Sequence, residues 1–328
     1  MQEPNVLIII PNYNGVSVEY QGKPIIKQCL DSMKKTAYRN YKLLVTDDFS
    51  TDNSVDYIKK KYRYVKIIKR TSNSGYTENA NTGLRYFIKN KNFDYALLLD
   101  SDTIIIDKSW LKNLVDLAEK EKEIGLVGCN LIYPDGNTQG NVIRFKDRFS
   151  LKVLGKNEVQ KSEYTKIRDA QIVPGAVHLI KRSTLEKIGF LDGNFINGYN
   201  DEDYCLRVRK SGLRVLYAGK IKVMHLQNFT IKSINNKNNN TSNKKYYSLR
   251  NSFYFLRKHK DVVGVSRLPI WYLIYFLSGI TTSSVKSGEV QLSSIRINKG
   301  IKTNTGITIK AFVDSRKLKI PNNELGLN

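Results

Sequence analysis

Asp100 and Asp102 stand one residue apart at the end of the apolar run Ala96-Leu97-Leu98-Leu99, with Ser101 between them. Two carboxylates on one tight turn are hard oxygen ligands suited to Mg²⁺ or Mn²⁺, with coordination positions left for substrate phosphates. Asp is also a helix-capping residue, and Asp107 and Ser109 precede the helical-looking stretch Trp110–Lys122. The pair alone fits a metal site or a capping loop.

A second acidic cluster, Asn200-Asp201-Glu202-Asp203, precedes Tyr204-Cys205-Leu206-Arg207. Acids at a helix start complement its dipole. Three crowded carboxylates are more than a cap needs, and their mutual repulsion raises one pKa toward that of a general base. Arg207, one turn on, can orient or neutralise one of them. His225 ends the strand-like Lys222-Val223-Met224-His225. A lone His is usually structural, but beside Asp100 and Asp102 it becomes a candidate third ligand, a donor set that favours Mn²⁺ over Mg²⁺.

Three further polar loops follow apolar strands. They are Pro11-Asn12-Tyr13-Asn14, Asp47-Asp48-Phe49-Ser50-Thr51-Asp52 and Asn73-Ser74-Gly75-Tyr76. Asp48 suits a base edge or a ribose hydroxyl, as in other nucleotide sites. Gly75 permits close backbone approach, and the helix after it offers its N-terminus to a phosphate. Asn81, on that helix, is costly facing inward unless a ligand or backbone pairs it. Each loop taken singly also reads as ordinary turn and cap chemistry.

These residues need a scaffold, and residues 1–130 supply one in pattern. Strands are expected at Val6–Ile10, Tyr41–Val45, Val65–Lys69, Tyr95–Leu99 and Gly125–Cys129. Helices are expected at Pro24–Thr36, Ser54–Lys61, Thr77–Asn90 and Trp110–Lys122. This alternation predicts an α/β fold with a mainly parallel sheet flanked by helices, and a ligand crevice at the strands' carboxyl ends. Residues 131–172 read as an irregular insertion walling the site. Strands at Val177–Ile180, Leu213–Ala218 and Lys222–His225 follow, with helices at Ser183–Ile188, Tyr204–Ser211 and Lys244–Lys260. The last 45 residues read as β-leaning or loose.

The 328 residues carry a formal net charge of +24, which points to a polyanionic partner: nucleic acid, an anionic membrane surface or phosphorylated substrates. From Thr230 onward there are 17 Lys and Arg against 4 Asp and Glu, so the tail holds about half of the excess. Three separated cysteines, Cys29, Cys129 and Cys205, fit neither a disulfide framework nor a zinc spacing. With no signal-peptide pattern in Met1–Asn5, a cytoplasmic setting is the expectation. The apolar run Leu268–Leu277 is too short for a membrane-spanning helix.

Taken in order, these pieces resemble the family 2 glycosyltransferases of the GT-A fold, close to their rhamnosyltransferase-like branch, over roughly residues 5–230. Pro11-Asn12-Tyr13-Asn14 looks like the family's opening loop, and Asp47–Asp52 like its nucleotide-binding Asp-Asp-x-Ser-x-Asp. Asn73-x-Gly75 with Asn81 and Gly83 resembles the branch's Asn-x-Gly element. Asp100-Ser101-Asp102 is similar to the metal-binding Asp-x-Asp, and His225 to its downstream metal-site His. Pro174-Gly175-Ala176 matches the acceptor-side segment. Asp201 falls on the catalytic base and Asp203 on the following acid. Asn200 stands where the family usually has Glu, and Phe49 where Gly is commoner.

The resemblance implies inverting transfer of a sugar from a nucleotide-diphosphate donor to a glycan or lipid-linked acceptor. Asp201 and Asp203 are the implied catalytic acids. Asp102, Asp100 and His225 would hold Mn²⁺ or Mg²⁺. Pro11, Tyr13, Asn14, Asp48, Asn73, Gly75, Asn81, Asp100 and Ser101 would line the donor site, with Gly175, Ala176 and Glu202 on the acceptor side. Residues 1–230 are then the catalytic domain, and 231–328 a basic, aromatic extension. Lys244–Lys260 with Trp271–Leu277 suits either a peripheral membrane contact on the cytoplasmic face or a helical lid. A sugar-1-phosphate nucleotidyltransferase would carry a Gly-rich basic loop where Pro11–Asn14 stands. A nucleic-acid binder would account for the charge, but no binding motif accompanies it.

Overall fold

The computed structural model describes residues 3–140, 142–145, 151–196, 198–227, 241–259 and 301–321. From the N-terminus, β1 (Val6–Asn12) leads to a small hairpin, β2 (Glu19–Tyr20) and β3 (Lys23–Pro24), and then α1 (Ile25–Met33). Next come β4 (Tyr41–Asp47), α2 (Ser54–Lys61), β5 (Lys66–Lys69), α3 (Tyr76–Lys89), β6 (Tyr95–Leu99), β7 (Thr103–Ile105) and α4 (Trp110–Glu119). The middle of the chain holds β8 (Ile124–Ile132), β9 (Val142–Phe145), β10 (Leu151–Leu154), β11 (Ile167–Asp169), β12 (Val177–Lys181) and α5 (Arg182–Ile188). Last come α6 (Asn200–Lys210), β13 (Arg214–His225), α7 (Thr241–Lys258) and α8 (Ile301–Lys317).

Nine strands form one sheet in the order β5-β4-β1-β6-β12-β8-β13-β11, with β7 on β13. The pairs β4–β5, β1–β4, β1–β6 and β8–β13 are parallel. β12 lies antiparallel between β6 and β8, and β11 and β7 run antiparallel to β13. The mainly parallel sheet expected from the sequence is therefore present, with antiparallel insertions.

Strand β1 shows how the sheet is covered. Val6, Ile8 and Ile10 face one layer with Ile26, Cys29, Leu30 and Met33 of α1; Leu7 and Ile9 face the other with Ala80, Leu84 and Phe87 of α3. Each such fully buried side chain stabilises by roughly 1.5–3 kcal/mol. Gly83 brings α3 against β1, since a Cβ there would meet Ile9 Cγ2 at 2.3 Å.

Three expectations change. Residues 131–172 contain the β9–β10 hairpin, a short 3₁₀ turn and β11 rather than irregular chain alone. Leu213–Ala218 and Lys222–His225 belong to one strand, β13, whose register on β8 shifts between Ala218 and Lys222. Ile301–Lys317 is helix, not β-leaning chain. Its Ile307, Ala311 and Phe312 pack with Leu249 and Phe253 of α7, and this burial outweighs the β propensity of its Ile and Thr residues. The Asn-rich stretch 235–240 and the apolar run 268–279 lie outside the described residues.

Candidate active site

Strands β1, β4 and β6 all end at one edge, and the chemistry-bearing loops leave from there. At the end of β1, Asn12 is fully buried and donates through Nδ2 to Asp47 Oδ1 at 2.9 Å. Asn14 Oδ1 accepts from the N–H groups of Thr51 (2.8 Å) and Asp52 (3.3 Å), so the first two loops are stitched together. Pro11 is buried within β1, while Tyr13 is 48% exposed. Phe49 is also exposed and holds a left-handed φ of 62° beside Asp48.

Asp48 is 2% exposed and turns toward the chain itself. It accepts from Arg70 Nη1 at 2.7 Å and from the N–H groups of Ser74 (3.2 Å) and Gly75 (2.8 Å). Gly75 takes φ 86°, a conformation that Gly adopts without cost, and its N–H also reaches Asn73 Oδ1 at 3.3 Å. Asp48 thus shapes the loop that carries Asn73 and Gly75 into α3.

The Asn81 side chain is engaged by backbone. Its Nδ2 donates to the Leu191 carbonyl at 2.9 Å and its Oδ1 accepts the Leu191 N–H at 3.0 Å. Expected to bind donor, this residue pairs α3 with the segment after α5. Its motif partner Gly83 serves packing on Ile9.

Asp100 and Asp102 flank the half-buried Ser101 in the turn between β6 and β7. The turn is fixed from two sides. The Asp100 N–H donates to the Ala176 carbonyl at 3.0 Å, and the Leu226 N–H donates to the Asp102 carbonyl at 2.9 Å. Pairing of β13 with β7 sets His225 opposite Thr103. His225 Nε2 consequently lies 3.2 Å from Asp102 Oδ1 and 3.7 Å from Asp100 Oδ2.

One ligand atom from each of Asp100, Asp102 and His225 falls within 4.8 Å of the others. Asp100 Oδ1 is buried and lacks a hydrogen-bond partner among the described residues. Two carboxylates with one imidazole, one oxygen unsatisfied, fit a divalent cation such as Mn²⁺. Burial pushes the Asp100 carboxyl up to about 6, against the pull of His225. Burial acts to lower the His225 pKa, but Asp102 and Asp100 outweigh it and the net shift is upward.

Asp201 sits in the first turn of α6, which begins after Gly198 and Tyr199, both at positive φ (93° and 68°). Its Oδ2 accepts the Gly175 N–H at 2.9 Å and its Oδ1 accepts from Asn200 Nδ2 at 2.9 Å. Burial raises its carboxyl to about 6, the Gly175 N–H opposing. Glu202, half-buried beside it, is raised to about 7 by burial and then by Asp201. Asp201 and Asp100 line one cleft of about 170 Å³ with Tyr76, Thr77, Gly175, Ile196, Gly198 and Asn200.

Asp203 has different surroundings from Asp201. Expected as a catalytic acid, it is fully buried away from that cleft. It accepts from Arg207 Nε (2.8 Å), His259 Nε2 (2.8 Å) and Lys258 Nζ (2.7 Å). Burial would raise its carboxyl, but Arg207 foremost, then His259 and Lys258, hold it well below the usual range. Asp203 is the anchor by which α6 is tied to α7.

Tyr76, Asn200 and Gln139 also belong to the site and were not among the site residues expected from the sequence. Tyr76 closes a loop already marked by Gly75. Asn200 stood out only as a departure from the family's Glu. Gln139 carried no signal, because the imidazole that it meets lies far along the chain, its Nδ1 2.8 Å from Gln139 Oε1.

A mostly parallel α/β sheet with acids gathered at its carboxyl edge is the architecture of nucleotide-sugar transferases of the GT-A type. The family model described as glycosyl transferase family 2 matches residues 7–189, and the chain belongs to that family. It is 24% identical over 232 residues to the O-antigen biosynthesis protein RfbC of Myxococcus xanthus, covering 68% of this chain and 17% of the relative. It is 32% identical over 126 residues to the poly(ribitol-phosphate) beta-glucosyltransferase of Bacillus spizizenii, covering 37% of this chain and 18% of that one. The matches thus span under a fifth of either relative. The fold is shared with the mannosyltransferase PcManGT from Pyrobaculum calidifontis, solved with GDP-Man and Mn²⁺. That likeness has a TM-score of 0.53 at 14% identity and covers 98% of this chain and 77% of that one.

Proposed function

We propose that this glycosyltransferase works by single-displacement inversion, with Asp201 as general base and a glycan or lipid-linked hydroxyl as acceptor. The observation that carries this reading is the cleft shared by Asp201 and Asp100, with Asp201 held by Gly175 and Asn200. In that step Asp201 takes the acceptor's hydroxyl proton as the oxygen bonds to the anomeric carbon. The bond from that carbon to the diphosphate breaks on the opposite face, and a nucleoside diphosphate leaves. A positioned base contributes about 10²–10⁴-fold.

Asp100, Asp102 and His225 would hold the divalent cation, which when bound neutralises charge on the departing diphosphate. The donor site is read as the loops of Pro11, Tyr13, Asn14, Asp48, Asn73 and Gly75 together with Ser101. Gly175, Ala176 and Glu202 are read as the acceptor side. A fold relative that is a mannosyltransferase solved with GDP-Man and Mn²⁺, and a sequence relative that is a poly(ribitol-phosphate) beta-glucosyltransferase, support a nucleotide-sugar donor and a polymeric acceptor. The charge of +24 favours an acceptor that carries phosphate.

The C-terminal helices are read as a lid on the catalytic unit. Tyr254 and Phe255 of α7 join Phe195 and Leu206 in one apolar cluster, beside the loop that leads to Asp201. No described helix is long and apolar enough to cross a membrane. Peripheral contact with an anionic cytoplasmic membrane face is the second reading for the basic tail, favoured by its excess of Lys and Arg.

The test is Asp201→Asn in the purified chain. Turnover of the sugar nucleotide should fall by two orders of magnitude or more while donor affinity is kept. NMR of the product should show the anomeric configuration opposite to that of the donor. Unchanged turnover, or a retained configuration, overturns the reading.

A further inference from the structure

We propose that Gln139 is a positioning residue that fixes the tautomer and orientation of His225, and thereby its strength as a metal ligand. The inference rests on the metal-site reading above. Gln139 Nε2 donates to the backbone carbonyl of His225, a group that can only accept. That contact decides which end of the amide faces the ring. Oε1 must be the atom 2.8 Å from His225 Nδ1, and an amide oxygen requires a donor there. In the neutral ring the hydrogen therefore sits on Nδ1. The Nε2 lone pair points to the other side, where Asp102 Oδ1 and Asp100 Oδ2 stand 3.2 and 3.7 Å away.

The bracket is itself held. The Gln139 N–H donates to the Leu131 carbonyl at 2.9 Å, and the adjacent Thr138 bridges to both Ile132 and Glu158. His225 is fixed along the chain by its register with Thr103. Ring rotation is its remaining freedom, and Gln139 removes it. An oxygen that accepts the remote N–H of a ligating imidazole makes the ring more basic and holds it in line. Loss of such a partner typically costs 10–100-fold in metal affinity.

The experiment is an EPR titration of the full chain with Mn²⁺ alone, comparing wild type, Gln139→Leu, Gln139→Glu and His225→Ala, with thermal melts to confirm folding. Gln139→Leu should weaken Mn²⁺ by about 10–100-fold. Gln139→Glu keeps an acceptor for the Nδ1 hydrogen but loses the donor to the His225 carbonyl, and should fall between wild type and Gln139→Leu. Long-range ¹H–¹⁵N spectra of the Cd²⁺-loaded protein should show His225 protonated at Nδ1 in wild type and a mixed signature in Gln139→Leu. Wild-type Mn²⁺ affinity in Gln139→Leu, with His225→Ala weakened, overturns the role of Gln139 alone. Wild-type affinity in His225→Ala overturns the metal-site reading instead.

Discussion

The Gly175 N–H donates to Asp201 Oδ2 at 2.9 Å, and a Cβ built on Gly175 would stand 2.0 Å from Asp201 Oδ1. The segment around Gly175 thus meets the proposed base backbone to carboxylate, with no room for a side chain between them. Gly175→Ala must push Asp201 aside. Its kcat should fall by about 10²-fold or more, the scale of a displaced general base, while the melting temperature moves little. Steady-state kinetics beside a thermal melt will check this, and a wild-type kcat would sink it.

Asp203 is predicted to govern stability rather than chemistry. Replacing it with Asn leaves Arg207, Lys258 and His259 facing a neutral amide in a buried site. Breaking such an arrangement typically costs about 3–5 kcal/mol. Urea unfolding should report that loss, and the protein that remains folded should keep its KM for donor.

The same carboxylate makes the fold acid-sensitive. Its folded pKa is depressed below the ordinary 3.8, with Arg207 the first of the groups that overcome burial. At neutral pH both folded and unfolded chains have it ionised, so its contribution to stability is complete. As pH falls below about 4, the unfolded chain takes up the proton first and the contribution is lost progressively. Wild type should therefore lose stability more steeply than Asp203→Asn over this range. Equal slopes in melts from pH 5 to 3 would contradict it.

Asn81 separates a structural role from a donor-binding one. Asn81→Ala leaves both the N–H and the carbonyl of buried Leu191 without the partner they now have. Each such orphan costs about 1–3 kcal/mol, so chemical denaturation should show a clear loss. Donor affinity measured by calorimetry should not change; a selective loss of donor binding would return Asn81 to the nucleotide site.

Chelation tests the acid and imidazole cluster. Dialysis against EDTA should abolish transfer, and Mn²⁺ should restore it more fully than Mg²⁺, because imidazole beside carboxylate suits the softer ion. Full activity after verified metal removal would rule the requirement out.

What the chain determines locally was legible from its order of residues. An apolar run such as Tyr95–Leu99 must be buried on both faces, and a polar turn must follow it at a sheet edge, so the α/β class and the placement of Asp100 and Asp102 could be read directly. Side-chain periodicity is a property of neighbouring residues, which is why it survives without a structure. Tertiary pairing decided the rest. β13 against β7 brings His225 to Asp102, and the C-terminal end of α7 with the residue after it delivers Lys258 and His259 to Asp203. Whether an acid is a base or an anchor depends on what lies opposite it. Asp201 faces a cleft, one backbone N–H and the Asn200 amide, whereas Asp203 faces the Arg207 guanidinium, the Lys258 ammonium and the His259 ring. That difference in partners and solvent, set by segments distant along the chain, separates two aspartates that sit two residues apart.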